Sequence, residues 1–476
     1  MIFHSSSYPT KTLWIATFFL GAVFLLRAPI GGSFWLDETL TSWITNAGAD
    51  EVWHRTVDFQ GQSPFYYEIL WLVRQVFGES EVALRVPSLL FAGCSLVYLA
   101  RISSLLFCER AIAPIALSIL ICADGFQRAA ISARPYALGI ACVFGSIFYL
   151  LKFVKEQRLI DLALYSAFTV AAFYSHYLFA TVLLLHLVVA SSLRPRRRVL
   201  YAVLGTVLLG PGVVQLRDLL SRASELSFAQ PVSASAFILS FAPLPIIVVV
   251  SVSIVLALIW GARWQAVKFE YYSILVLGVW IFSPVILFFA ASALGGRSLL
   301  VSRYWVWQLG GVALALGVTI ATISSQRART IATSTLLAGL LFRLVTQQWQ
   351  FEDWRSAAHL AEKDSATEII LFSGLIESES SWARNGPAIQ EYLQAPLSVY
   401  GVTKVIRVVG LTEPSADLAK ELIDGSLLVS FRIGRGPYRS PERFVDEATA
   451  KGLTVVPIAQ GGLVSVYRFV ASGSAG

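Results

Sequence analysis

Directly after the first apolar run of this 476-residue chain stand two adjacent carboxylates, in Trp35-Leu36-Asp37-Glu38. A carboxylate placed there can take the proton of a hydroxyl nucleophile, the work of a general base. Neighbouring side chains on a helix point about 100° apart, so the pair would not share one proton as a dyad. One can face a cavity while the other anchors a neighbouring element. Alternatively, both are the ordinary acids of a helix N terminus, where free N–H groups and the dipole favour negative charge. Cations follow along the chain. Arg85, in Ala83-Leu84-Arg85-Val86-Pro87-Ser88, opens the second apolar run and either meets a phosphate or snorkels. Arg134, in Ser132-Ala133-Arg134-Pro135-Tyr136, suits an anion beside Tyr136, or pairs with Asp124 in the same loop. His176, between Tyr174 and Tyr177, either donates to a phosphate or moves a proton, or is a belt residue. Arg297 and then Ser302-Arg303-Tyr304-Trp305 form a further cationic group with the same two readings.

Composition says what must hold these residues. The chain is 56% hydrophobic and only 14% charged, with a mean hydropathy of +0.67, against about 25% charged residues in a soluble domain. Its apolar residues fall in runs that reach the ~20 residues needed to cross a bilayer. The expected class is therefore a polytopic α-helical membrane protein. A net charge of +7 does not point to nucleic acid, because the basic residues sit in short clusters between apolar runs. The four cysteines (Cys94, Cys108, Cys122 and Cys142) lie in or beside those runs and form neither a disulfide framework nor a zinc pattern. The first run, Leu13 to Leu26, is followed by Arg27-Ala28-Pro29 rather than a small-residue cleavage site, so it reads as a retained span.

Loop charge orients the spans. With the N terminus inside, Arg110, Lys152, Lys155, Arg158, Arg194, Arg196, Arg197, Arg198, Arg263, Lys268, Arg327 and Arg329 are cytoplasmic, as cytoplasmic loops prefer. Asp37, Glu38, Asp50, Glu51, Asp58, Glu68, Glu79, Asp124, Asp218 and Glu225 then face outward. The apolar stretch from Leu159 to Leu193 is too long for one span and has basic flanks on both sides, which predicts two short helices turning at Tyr174-Ser175-His176-Tyr177. About eleven spans result, with the C terminus outside. The transmembrane domain is expected over 1–346, with a long first loop at 31–80 in which Ser63-Pro64 starts an interfacial aromatic helix. Residues 347–476 read as a small α/β domain, with strands near 368–374, 403–410, 426–432, 453–457 and 463–470 and helices near 354–363, 415–424 and 441–451. The loop at Trp382-Ala383-Arg384-Asn385-Gly386 is too unspecific to assign.

The order of the motifs is more telling than any one of them. An acidic pair after the first span is followed by Ser63-Pro64-Phe65-Tyr66-Tyr67, Ala83-Leu84-Arg85-Val86-Pro87-Ser88, Ala133-Arg134-Pro135-Tyr136-Ala137-Leu138 and Ser302-Arg303-Tyr304. This order resembles the GT-C superfamily of membrane glycosyltransferases, in its bacterial branch related to protein O-mannosyltransferases and the lipid A aminoarabinose transferase. The similarity runs over about residues 11–345, and Glu352-Asp353-Trp354-Arg355 also fits. The resemblance implies a GT-C fold with a C-terminal periplasmic domain in a bacterial inner membrane. It implies transfer of a sugar from a polyprenyl phosphate carrier, with inversion, to an extracytoplasmic acceptor that is a glycan, lipid or protein. Asp37 then matches the family's essential first-loop acid and Glu38 its acidic neighbour. This chain departs from relatives at Ser63, where they carry Pro, and at Ser132, where they often carry Glu; Asp124 is the nearest replacement for that charge.

On that reading Arg134, Arg303 or His176 meets the leaving phosphate, with Arg85, Asp124, Tyr136, Arg297 and Tyr304 as further substrate-binding candidates. No nucleotide-binding loop or metal cluster stands out, so no cofactor is expected, although a divalent cation bridging Asp37 or Glu38 to the phosphate stays open. The competing classes are a lipid or lipid-linked-glycan flippase, a glycan ligase or polymerase, and a noncatalytic scaffold. Transporters keep ionisable residues near the bilayer midplane, often within inverted repeats, whereas here they gather in the outer loops.

Overall fold

The computed structural model describes residues 10–191, 244–264, 271–295, 299–349, 352–375, 387–408, 425–431, 448–461 and 463–471, together with residues 233, 235, 237 and 446. In chain order its helices are α1 (Thr10–Arg27), α2 (Leu36–Thr45), α3 (Ala49–Arg55), α4 (Phe65–Phe77), α5 (Glu81–Leu106), α6 (Ile112–Ile121), α7 (Asp124–Ala130), α8 (Tyr136–Glu156), α9 (Leu159–Ser175), α10 (Val182–Ala190), α11 (Leu244–Ile259), α12 (Tyr271–Gly295), α13 (Gln308–Ala321) and α14 (Gln326–Thr346). The remainder alternates: α15 (Trp354–Lys363), β1 (Glu368–Phe372), α16 (Pro387–Ser398), β2 (Val405–Val408), β3 (Leu427–Phe431), β4 (Leu453–Gly461) and β5 (Val464–Ala471).

The chain divides into two compact units. The first contains α1, most of α5, and α6 to α14. Among the described residues, α1, α5, α8, α12 and α14 are long and apolar enough to cross a membrane. The α6–α7 pair, bent by 72°, counts as a sixth span if taken as one. Shorter apolar helices, α9 to α11 and α13, complete the unit. The expected count of about eleven includes a run at 199–216 that lies outside the described residues. Within α1, Leu13, Thr17, Leu20 and Phe24 are buried at helical spacing. Ile15, Phe18, Phe19, Leu25 and Leu26 are exposed on the other side. A helix apolar all round whose outward residues are this hydrophobic is built for lipid rather than water. Polar contacts join the helices where lipid is absent: Thr17 Oγ1 meets the Pro114 carbonyl at 3.0 Å and Ser118 Oγ at 2.9 Å.

Helix α8 is buried along most of its length. Ser146 on α8 contacts His186 Nε2 at 3.1 Å, and Tyr165 on α9 contacts His186 Nδ1 at 3.2 Å, tying α8, α9 and α10 together. The basic flank expected after α8 also carries an acid: Asp161, 1% exposed, pairs with Lys152 at 3.1 Å. The long run after it breaks at His176, inside the expected turn, and continues as a 3-10 turn (Tyr177–Thr181) before α10.

The second unit joins Ile30–Leu84 with Gln348–Gly476. The first loop thus folds together with the C-terminal segment, where the sequence reading grouped it with the spans. Trp43 and Phe59 pack edge-on and stacked against Tyr392 of α16, with centroids 5.5 and 5.4 Å away. Helix α4 starts just after Pro64, its Phe65 N–H donating to Ser63 Oγ at 3.3 Å, and ends at Gly78, whose φ of +82° suits glycine. The sheet has the order β2-β1-β3-β5-β4. Strand β1 runs parallel to β2 and β3, and β5 is antiparallel to β3 and β4. Ile370, Phe372, Leu428, Tyr467 and Phe469 form a core on the sheet. Helix α15 buries Trp354, Ala357, Ala358 and Ala361. Of the expected helices, 415–424 lies outside the described residues, as does Trp382–Gly386. Helix α16 was not read from the sequence; its buried Ile389, Tyr392, Leu393 and Leu397 keep a helical period interrupted by Pro396.

Candidate active site

Asp37 and Glu38 occupy the first turn of α2, where the helix N terminus favours negative charge. They have different surroundings. Glu38 is fully buried, and its Oε2 accepts the Trp35 N–H at 3.1 Å, closing the helix start as the glutamate of a capping box does. Asp37 is half-buried. A third carboxylate joins them: Glu352 Oε2 accepts the Leu36 N–H at 2.6 Å and the Trp354 indole N–H at 2.9 Å. Burial, with the charges of Asp37 and Glu38 adding, pushes Glu352 from 4.5 up to about 7 despite those two hydrogen bonds.

The segment before α2 is held just as closely. Tyr400 OH accepts the Phe34 N–H at 2.7 Å and donates to Glu81 Oε1 at 3.1 Å. Burial pushes its phenol up to about 12, so it serves as a neutral hydrogen-bond relay.

In the first unit, five of the residues singled out in the sequence come together. Arg134 precedes α8, which Pro135 opens; His176 sits in the break after α9; Arg303 and Tyr304 lie in a 3-10 turn (Ser302–Tyr304) before α13. The His176 ring lies 5.6 Å from Tyr136 and 5.3 Å from Tyr304, centroid to centroid. The Arg303 guanidinium is 6.0 Å from the Tyr136 ring and 5.8 Å from that of Tyr304. Both Arg134 and Arg303 are close enough to His176 to act on it electrostatically. His176 Nδ1 accepts the Leu178 N–H at 3.3 Å, so the neutral ring carries its proton on Nε2 and presents a donor. Arg134, Tyr136, His176 and Tyr304 are all buried. Two guanidinium groups and an imidazole donor beside aromatic rings are a chemistry suited to a phosphate.

The remaining candidates are placed otherwise. Asp124 pairs with Arg343 of α14 and accepts from Gln347 at 3.3 Å, joining α7 to the end of α14; sequence reasoning missed Arg343. Arg85 is buried, and its Nη1 donates to the Pro29 carbonyl at 3.3 Å. Arg297 lies outside the described residues. Glu352 and Tyr400 were not singled out as site residues; the signal for Glu352 was the Glu-Asp-Trp-Arg string itself.

Comparison with known proteins bears on the fold. The model for the dolichyl-phosphate-mannose-protein mannosyltransferase family matches residues 61–212, about a third of the chain. No curated protein matches the sequence. Among solved structures, ArnT from Cupriavidus metallidurans in the apo state is similar at 13% identity and a TM-score of 0.54, covering 99% of this chain and 100% of ArnT. The same protein bound to undecaprenyl phosphate gives 13% identity and a TM-score of 0.53, over 97% and 98% of the two chains. The resemblance carried by the motif order therefore holds at the level of architecture, and the chain has the GT-C fold.

Proposed function

We propose that this protein is a glycosyltransferase that moves a sugar from a polyprenyl phosphate donor to an extracytoplasmic glycan, lipid or protein, with inversion, in a bacterial inner membrane. The observation that supports it most is the gathering of Arg134, His176 and Arg303 around Tyr136 and Tyr304 in a chain of GT-C fold. The ArnT structure bound to undecaprenyl phosphate supports the carrier class. An apolar groove of about 570 Å³, lined by Leu184, Val188, Leu275, Phe282 and Ile286, suits an isoprenoid tail.

In the reaction proposed, Asp37 takes the acceptor hydroxyl's proton as that oxygen attacks the anomeric carbon. The bond from this carbon to the phosphate oxygen breaks, and the polyprenyl phosphate leaves with the electron pair. Arg134, Arg303 and the Nε2–H of His176 stabilise its growing charge. Attack on the face opposite the leaving group inverts the centre. Glu38, occupied by the Trp35 N–H, holds the helix start that presents Asp37.

The test is transfer from a panel of radiolabelled polyprenyl phosphate sugars into membranes carrying the parent protein or Asp37→Asn. Loss of a general base typically lowers the rate by about 10²–10⁴-fold. Equal incorporation by a folded Asp37→Asn protein refutes the assignment, and the absence of incorporation from every donor by the parent favours the transport reading.

A further inference from the structure

The residues that lead into Asp37 are held by one short stretch of the second unit. Leu36 is the first residue of α2, so its N–H is one of the N-terminal donors with no acceptor inside the helix. At an ordinary helix start the N-cap side chain, usually Ser, Thr, Asp or Asn, accepts from the second or third helical N–H and leaves the first without a local acceptor. Here the N-cap residue is Trp35, whose indole only donates. The Leu36 N–H finds its acceptor in Glu352, 316 residues along the chain. Next to it, the Arg355 N–H donates to Ser33 Oγ at 3.1 Å, its Nη2 donates to the Gly31 carbonyl at 2.9 Å, and its guanidinium pairs with Glu81. Trp354, fully buried, anchors the stretch. Gly31, Ser33 and Leu36 are thus fixed from a single turn.

A carboxyl group is a costly choice for this work. It is half-buried, the Leu36 and Trp354 N–H groups both fall on its Oε2, and the charged groups facing it from α2 are Asp37 and Glu38. Arg355, on its own helix, is turned to Glu81 and Gly31 instead. A neutral amide would hold the Leu36 N–H without adding charge beside Asp37.

We infer that Glu352 is a positioning residue for Asp37: through the Leu36 N–H it fixes the turn that carries the acid. The inference rests on the reading of Asp37 as the base.

Two readouts on the full chain in lipid nanodiscs test this. Hydrogen exchange at residues 33–37 needs no substrate. Glu352→Ala should speed exchange there on the order of tenfold through loss of the hydrogen bond, and Glu352→Gln should leave it close to the parent. Unchanged exchange in Glu352→Ala overturns the clamp. The second readout is steady-state transfer, measured with whichever radiolabelled polyprenyl phosphate sugar the parent transfers. Glu352→Ala should lose kcat on the order of tenfold with little change in donor KM, and Glu352→Gln should restore it. A kcat of Glu352→Ala equal to the parent's overturns the positioning role. Should the parent transfer nothing, the catalytic reading fails and the positioning role with it, while exchange still decides the clamp.

Discussion

Replacing Glu352 by glutamine should make the protein relatively more stable as the pH rises. In the folded state this carboxyl is raised from 4.5 to about 7, chiefly by burial, so between those values the native protein binds a proton that the unfolded chain has released. Stability rises with pH only where the unfolded state binds more protons; here the native state does. The contribution of Glu352 is therefore fully present below about pH 4.5 and is lost as the pH climbs through about 7. At 1.36 kcal/mol per decade, the whole swing is about 3 kcal/mol, an upper figure because buried sites relax and admit water. Glutamine keeps an oxygen for the Leu36 and Trp354 N–H groups and has no proton to lose. Apparent melting temperatures of both proteins in the same nanodisc, from about pH 5 to about pH 8.5, measure the effect. The difference should be small at the acid end, grow in favour of glutamine, and flatten above about pH 8. A difference independent of pH, or one that grows in favour of the parent, refutes the argument that burial dominates this carboxyl.

Two further outcomes follow from the cationic cluster. A Cβ at Gly139 would overlap the Phe179 ring, which is fully buried and lies 5.6 Å from the His176 ring. Gly139→Ala should cost about 1–3 kcal/mol of overpacking strain and raise the donor KM, read by thermal unfolding and transfer kinetics; a variant as stable as the parent refutes the contact. Arg303→Lys keeps the charge but removes the planar fork beside Tyr136 and Tyr304. It should lower kcat/KM on the order of tenfold, and full activity would show that a point charge suffices.

What could be read in the sequence was whatever stands out against an apolar background. Arg134, His176 and Arg303 were visible because a polar residue beside a membrane run needs a reason, and the break at His176 followed from the length of the run and the basic flanks on both its sides. The strands of the C-terminal segment were visible as β-branched and apolar runs such as Glu368–Phe372. Pairings across long sequence distances left no local trace. Nothing in Asp124 announces Arg343, 219 residues away, and nothing in Leu36 announces Glu352. Helix α16 escaped because Pro387 and Pro396 read as punctuation, although Pro387 opens the helix, where its missing N–H costs nothing. The grouping of the first loop with the C-terminal segment was hidden for the same reason, since its anchors, Trp43 and Tyr392, look like ordinary core aromatics in one dimension.

Asp37, Arg134, His176 and Arg303 share one circumstance: each lies where a helix begins or breaks. Asp37 is in the first turn of α2, Arg134 directly precedes Pro135 and α8, His176 separates α9 from a 3-10 turn, and Arg303 lies in the turn before α13. In a helix crossing lipid, every backbone N–H and C=O must be satisfied within the helix, and outward side chains must be apolar. Helix ends are freed from both demands: they carry unsatisfied N–H groups that attract anions and admit polar side chains. A membrane enzyme acting on a charged headgroup is thereby confined to a few positions for its chemistry. Elsewhere on a spanning helix one apolar side chain can stand in for another of similar volume, and a fold can then persist at 13% identity.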